Sequence, residues 1–152
     1  MTVLFECYAD EALVRALGVP KKERRHAGDK GKVLNGVRRA TSPALGLVDE
    51  DPEARQRVPD FELRGEAHGL RLLELRQDRT KRAVVLSPRL EDWLVGRAKS
   101  CGLRLADYGL PERGHDLQGI PHVERRPRFH AFLADLLAAD EGMRTLKKWL
   151  AG

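Results

Sequence analysis

Two kinds of apolar pattern divide the chain. In its first half, short continuous apolar runs stop on acids, and between them apolar positions recur at helical spacing. Thr2 to Glu6 is one such run, β-prone and closing on Glu6, which reads as a first strand buried on both faces. Asp10 then stands where a helix cap belongs, and Leu13, Val14 and Leu17 give one apolar stripe before Gly18 and Pro20 end it. Lys21 to Ala27 is a short basic strand-like run, and Gly28 to Lys32 leads into a helical segment carrying Val33, Leu34 and Val37. Ala44 to Asp49, with Ser42-Pro43 ahead and Pro52 behind, reads as a buried parallel strand that ends on acids at a loop.

Pro52 to Phe61 mixes acids and bases and reads as an exposed loop or short helical turn. Gly69 to Leu75 and Arg82 to Leu86 are apolar runs around a short polar connection, so they form an antiparallel hairpin at or near the sheet edge. After Ser87-Pro88, Leu90, Trp93, Leu94, Ala98 and Cys101 make a helical stripe. Residues 102–126, with Gly109, Pro111, Gly114, Gly119 and Pro121, are read as irregular. Two helices follow over 127–151, one carrying Phe129, Phe132, Leu133, Leu136 and Leu137, the other Met143, Leu146, Trp149 and Leu150. The expected fold is α/β, a mostly parallel sheet flanked by helices, in one domain over 1–152 with its core at about 2–101.

Composition narrows the class. A length of 152 residues suffices for one sizeable core, and 41% hydrophobic with 34% charged residues fits a soluble globular protein. No apolar run approaches the ~20 residues of a membrane span, and the N-terminus turns acidic too soon for a signal peptide, so a cytoplasmic protein with no membrane partner is expected. Cys7 and Cys101 fall in expected core elements and predict buried thiols. His115 and His122 lack a second ligand at metal spacing and read as exposed loop residues. A net charge of +5 hints at a polyanionic partner.

The chemistry concentrates on strand ends. Asp49 and Asp51 lie two apart and would point the same way from one strand's carboxyl end, where paired carboxylates repel unless a cation or proton sits between them. Glu6 ends a neighbouring parallel strand, so all three meet at one edge, and hard oxygen ligands there suit Mg²⁺ or Mn²⁺. Glu91 begins the helix after a later strand, where it either complements the helix dipole or joins the acids. From Lys21 to Arg39 the cations Lys21, Lys22, Arg24, Arg25, Lys30, Lys32, Arg38 and Arg39 outnumber Glu23 and Asp29. They read as a nucleic-acid-binding stretch or as a solvated basic edge. The glycines before Lys30 and Lys32 permit phosphate approach, although the Walker spacing is absent.

With Val-Leu-Phe-Glu6-Cys-Tyr-Ala-Asp10 and Leu-Gly-Leu-Val-Asp49-Glu-Asp51 in this order, residues 2 to 95 resemble the TOPRIM fold of topoisomerases, bacterial primases, small RNA-maturing nucleases and overcoming-lysogenisation-defect nucleases. Cys7 stands where the family usually has Gly, and Pro52 follows Asp51 directly. The resemblance implies that Glu6 is a metal ligand or general acid/base and that Asp49 and Asp51 hold Mg²⁺. It adds Asp10 and Glu91 to the metal set.

Topoisomerase and primase activities need machinery that this chain lacks, so the expected function is Mg²⁺-dependent cleavage of a phosphodiester in DNA or RNA. The alternative is a non-catalytic module that docks nucleic acid or a separate ATPase subunit. A phosphoaspartate signalling domain fits poorly, because the first strand ends in a single Glu.

Overall fold

The computed structural model describes residues 1–50 and 58–152. The first strand, β1 (Thr2–Phe5), leads through helix α1 (Tyr8–Ala16) and a 3-10 turn at Lys21–Glu23 to β2 (Arg24–His26). Helix α2 (Lys30–Arg39) and β3 (Ala44–Asp49) follow. Beyond the undescribed residues come β4 (Phe61–Ala67), β5 (Leu70–Leu75) and β6 (Asp78–Leu86), and then α3 (Leu90–Cys101). The remainder contains α4 (Gly114–Gln118), α5 (Pro127–Ala139) and α6 (Glu141–Leu150).

The strands form one mixed sheet in the order β2-β1-β3-β6-β5-β4. β2, β1, β3 and β6 run parallel, while β5 is antiparallel to both β6 and β4. The α/β architecture expected from the sequence is present. The β5–β6 hairpin lies near the sheet edge as expected, with one further strand beyond it. That edge strand is β4, which the polar sequence Phe-Glu-Leu-Arg-Gly-Glu-Ala conceals. β4 turns into β5 at His68-Gly69, both at positive φ (54° and 75°), the backbone of a two-residue hairpin turn whose twist suits the strands. The segment 102–126 is also more ordered than its glycines and prolines suggest, holding α4 and 3-10 turns at Leu105–Tyr108 and Val123–Arg125.

Strand alternation sorts the core into two layers. Val3, Phe5, Leu45, Leu47, Val84 and Leu86 face one way and join α1, α3, α5 and α6 in the main core, so the C-terminal helices share the sheet's hydrophobic interior. Val48, Ala83 and Val85 face the other way, against Val33, Leu34 and Val37 of α2. Gly46 lies beneath that helix: a Cβ there would come within 2.7 Å of Val33 Cγ1 and 3.1 Å of Val37 Cγ2, so its missing side chain lets α2 lie close on the sheet. Among the described residues no helix is long and apolar enough to cross a membrane.

Candidate functional site

The parallel strands β1, β2, β3 and β6 share one carboxyl rim. Register sets β1 and β3 together there: Phe5 pairs with Leu47, and Asp49 pairs with Leu86 of β6. Beyond these ends a side-chain network joins three elements. Glu6 Oε2 accepts from the Asp49 N–H at 2.8 Å, and Asp49 Oδ1 accepts from the Leu90 N–H at 2.9 Å, at the start of α3. The convergence of Glu6 and Asp49 expected from the sequence is therefore present in the fold.

Asp10 enters the same rim from α1. The helix begins one turn earlier than its apolar stripe suggests, with Cys7 as N-cap, so Asp10 sits at the third helical position and reaches back. Its Oδ2 accepts from the N–H groups of Glu6 (3.2 Å) and Cys7 (3.1 Å) and from the Cys7 thiol (3.3 Å). This satisfies orphan donors of the first turn. Its other oxygen, Oδ1, is buried and makes no hydrogen bond among the described residues. Glu91 lies in the first turn of α3 and is 9% exposed.

Four acids thus crowd one rim, and their ionisation shows it. Burial, and then the charges of Asp10, Glu6 and Glu91, push Asp49 up to about 8 against the favourable Leu90 N–H. Burial also pushes Asp10 up to about 7; the hydrogen bonds from Cys7 oppose the shift, and the Glu6 and Glu91 charges add to it. Glu91 is raised chiefly by burial, with Asp92 and Glu6 adding and Arg89 opposing. Near neutral pH the rim therefore holds protons that ordinary aspartates release.

Beside the acids, Glu50 follows Asp49. Its side chain accepts a hydrogen bond from the Ser87 hydroxyl and lies 3.8 Å from Arg71, and its backbone carbonyl accepts from Lys30 Nζ at 3.3 Å. Lys30 is thereby brought to the rim, and Lys32 lies in the same first turn of α2, whose N-cap is Asp29. The remaining basic candidates divide. Arg25 is on β2, one residue before His26 at the rim, but Lys21 and Lys22 lie in the turn at the amino end of β2, away from the acids. Arg24 is half-buried and lies 3.9 Å from Glu11. Asp51 lies outside the described residues.

Both cysteines are free, but Cys7 is exposed rather than buried, because it caps α1 at the rim. His115 and His122 are exposed as expected. Sequence reasoning missed Tyr8 and His26, whose rings stack at a centroid separation of 4.4 Å and an interplanar angle of 2°. Tyr8 follows the end of β1 and His26 ends the adjacent parallel strand, so the β1–β2 pairing is what brings the two rings together.

Among the described residues no group of three or more His, Cys, Asp or Glu side chains is arranged to hold a metal ion. What the rim does present is carboxylate oxygen, the donor type of hard divalent cations, including a buried Asp10 Oδ1 with no hydrogen bond among the described residues. Comparison of the chain with protein-family models, with curated proteins and with solved structures finds no match.

Proposed function

We propose that this protein is a TOPRIM-like, Mg²⁺- or Mn²⁺-dependent nuclease that cleaves a phosphodiester of DNA or RNA at the carboxyl rim of its sheet. The observation that carries the proposal is the meeting of Glu6, Asp10, Asp49 and Glu91 at one rim, where burial and mutual repulsion leave Asp49 protonated up to about pH 8. A dry cluster of like charges is costly unless something positive shares it. The motif order and the parallel β1–β3 pairing support the family reading.

In this reading Glu6, Asp49 and Asp51 would hold the ion, with Asp10 and Glu91 as further acids of the set. When bound, a divalent cation neutralises charge on the phosphoryl oxygens and lowers the pKa of a coordinated water. The chain's own contribution is positional. The Asp49 N–H fixes Glu6, the Leu90 N–H fixes Asp49, and the Cys7 and Glu6 N–H groups fix Asp10. Lys30 supplies positive charge where a phosphate would lie beside the acids.

A second reading also has an observation behind it. Glu6 and Asp49 both accept backbone N–H bonds that tie β1, β3 and α3 together, as purely structural acids would. On that reading the domain docks nucleic acid or an ATPase subunit without cleaving anything.

Incubation with plasmid, single-stranded DNA and RNA in Mg²⁺ or Mn²⁺ separates the two. Cleavage by the wild-type chain is expected, with Glu6→Gln and Asp49→Asn each losing at least ~100-fold in rate, the scale of removing one preorganised electrostatic group. Mg²⁺ at a hundred times its Kd is expected to stabilise the wild type by about 2.7 kcal/mol in thermal unfolding. No cleavage by the wild-type chain and no Mg²⁺ stabilisation leave only the docking reading, whereas cleavage unaltered in both variants defeats the catalytic role of Glu6 and Asp49.

A further inference from the structure

The Tyr8–His26 stack has no role in the cluster of acids, and it is built unlike a core contact. Tyr8 is 54% exposed, with Leu63 one of two large hydrophobic side chains that are exposed among the described residues, and its ring lies parallel to that of His26. Both residues stand at the carboxyl ends of adjacent strands, Tyr8 two residues beyond Glu6. An exposed aromatic ring braced flat against another ring presents its remaining face to solvent at a fixed angle, which is the geometry of a platform for a planar ligand.

Tyr8 also lines a cleft of about 440 Å³ that runs along α1 toward the amino end of β2. Arg15, Lys21 and Arg24 line the same cleft, against the carboxylates of Glu11 and Glu124. Arg24 Nε is buried and makes no hydrogen bond among the described residues. Glu11 offsets Arg24 from 3.9 Å, while Arg15 and Lys21 are exposed. The aromatic ring thus joins two surfaces, an acidic rim on one side and a cleft of net positive lining on the other. Lys21 and Arg24, which lie off the rim, acquire a place here.

We infer that Tyr8 and this cleft bind a single strand of nucleic acid, one base stacked on the Tyr8 ring and the adjoining phosphates held by Arg15, Lys21 and Arg24. A base in a duplex has no free face for such a ring, so the surface selects unpaired strands, with little regard to sequence because every base offers a π-face. The inference rests on the reading of the rim as a nucleic-acid site, and it specifies the form of substrate that the rim receives.

Fluorescence anisotropy of the wild-type chain in EDTA, with labelled short single strands and the matching blunt duplex, tests binding where no metal-dependent cleavage occurs. The single strand is expected to bind at least about tenfold tighter, and Tyr8→Ala to weaken it about tenfold while Tyr8→Phe retains it. His26→Ala, which removes the brace, gives an independent variant with a smaller loss in the same direction. Arg15→Ala and Lys21→Ala are each expected to reduce the salt slope of single-strand binding by about 0.7. Circular dichroism checks that each variant is folded.

Equal affinity for both forms overturns the inference, as does unchanged binding in Tyr8→Ala. A mononucleotide that competes as well as the oligonucleotide overturns it too, since the cleft would then take a free nucleotide. Single-strand binding without any cleavage defeats the proposed hydrolysis alone. Cleavage with binding indifferent to Tyr8 defeats this inference alone.

Discussion

Asp10 and Asp140 are the same side chain in nearly the same burial, 3% and 2% exposed, and each satisfies N–H groups at the start of a helix. Their ionisation nevertheless moves in opposite directions. Burial pushes Asp140 up, but the Arg97 hydrogen bonds, the Met143 N–H and the Arg97 charge outweigh it and hold the carboxyl below its ordinary range. Arg97 reaches Asp140 Oδ1 from Nη2 at 2.6 Å and both oxygens from Nε at 3.0–3.1 Å, a fork on a carboxylate. Asp10 receives only N–H groups and a thiol, while its charged neighbours Glu6 and Glu91 repel it. The lesson is that the partner, rather than the depth, decides whether a buried acid is a clamp or a reservoir of stored repulsion. The fold supplies a forked cation for the acid that joins α3 to α6, whereas the hydrogen bonds to Asp10 come from two N–H groups and a thiol.

Removing the cation from the clamp is the largest expected effect. Arg97→Ala leaves Asp140 buried and unpaired and is expected to cost about 3–5 kcal/mol, read from urea unfolding. A smaller ΔΔG than for an exposed ion pair would break the comparison. The rim is expected to respond to pH in the opposite sense. A carboxyl whose folded pKa is raised contributes stability that is full below its unfolded pKa and lost as pH rises through its folded value. For Asp10 that window runs from the ordinary value of 3.8 to about 7.

Metal-free wild type is therefore expected to lose stability with rising pH across this window, at up to about 1.4 kcal/mol per pH unit for the one proton. Asp10→Asn is expected to make that slope shallower by the share of one proton, Asp49 still contributing up to about pH 8, measured by thermal unfolding in EDTA at stepped pH. An unchanged slope would show that the repulsion lies elsewhere. The smallest effect sharpens the clamp itself: Arg97→Lys keeps the charge but loses the fork, and is expected to cost about 1.5 kcal/mol in the same urea assay.

Much of this molecule is written in local pattern. The strands β1 and β3 are continuous apolar runs because both faces are covered, and the stripes of α2, α3, α5 and α6 each mark one buried face. The pairing of Glu6 with Asp49 followed from two strand ends in a parallel sheet. β4 was illegible for a physical reason: an edge strand half in solvent carries Glu62, Arg64 and Glu66, and Leu63 is exposed, so pairing with β5 rather than its own composition makes it a strand. Asp10 was correctly noticed but placed one turn out, because Cys7 is an unusual cap. The stack of Tyr8 on His26 depends on β2 pairing with β1, a contact between residues eighteen positions apart that no local spacing announces. Asp51 lies outside the described residues, and its role rests on the motif alone.

The bare position in β3 governs more than local packing. With no side chain at Gly46, α2 lies flush on the sheet, and its first turn carries Lys30 down to the Glu50 carbonyl beside the acids. A methyl group inserted there would act as a wedge under Val33 and Val37, raising the helix and lifting the lysine away from a rim it never touches directly. The height of a distant ammonium group is thus set by one hydrogen atom on the face of the sheet that α2 covers.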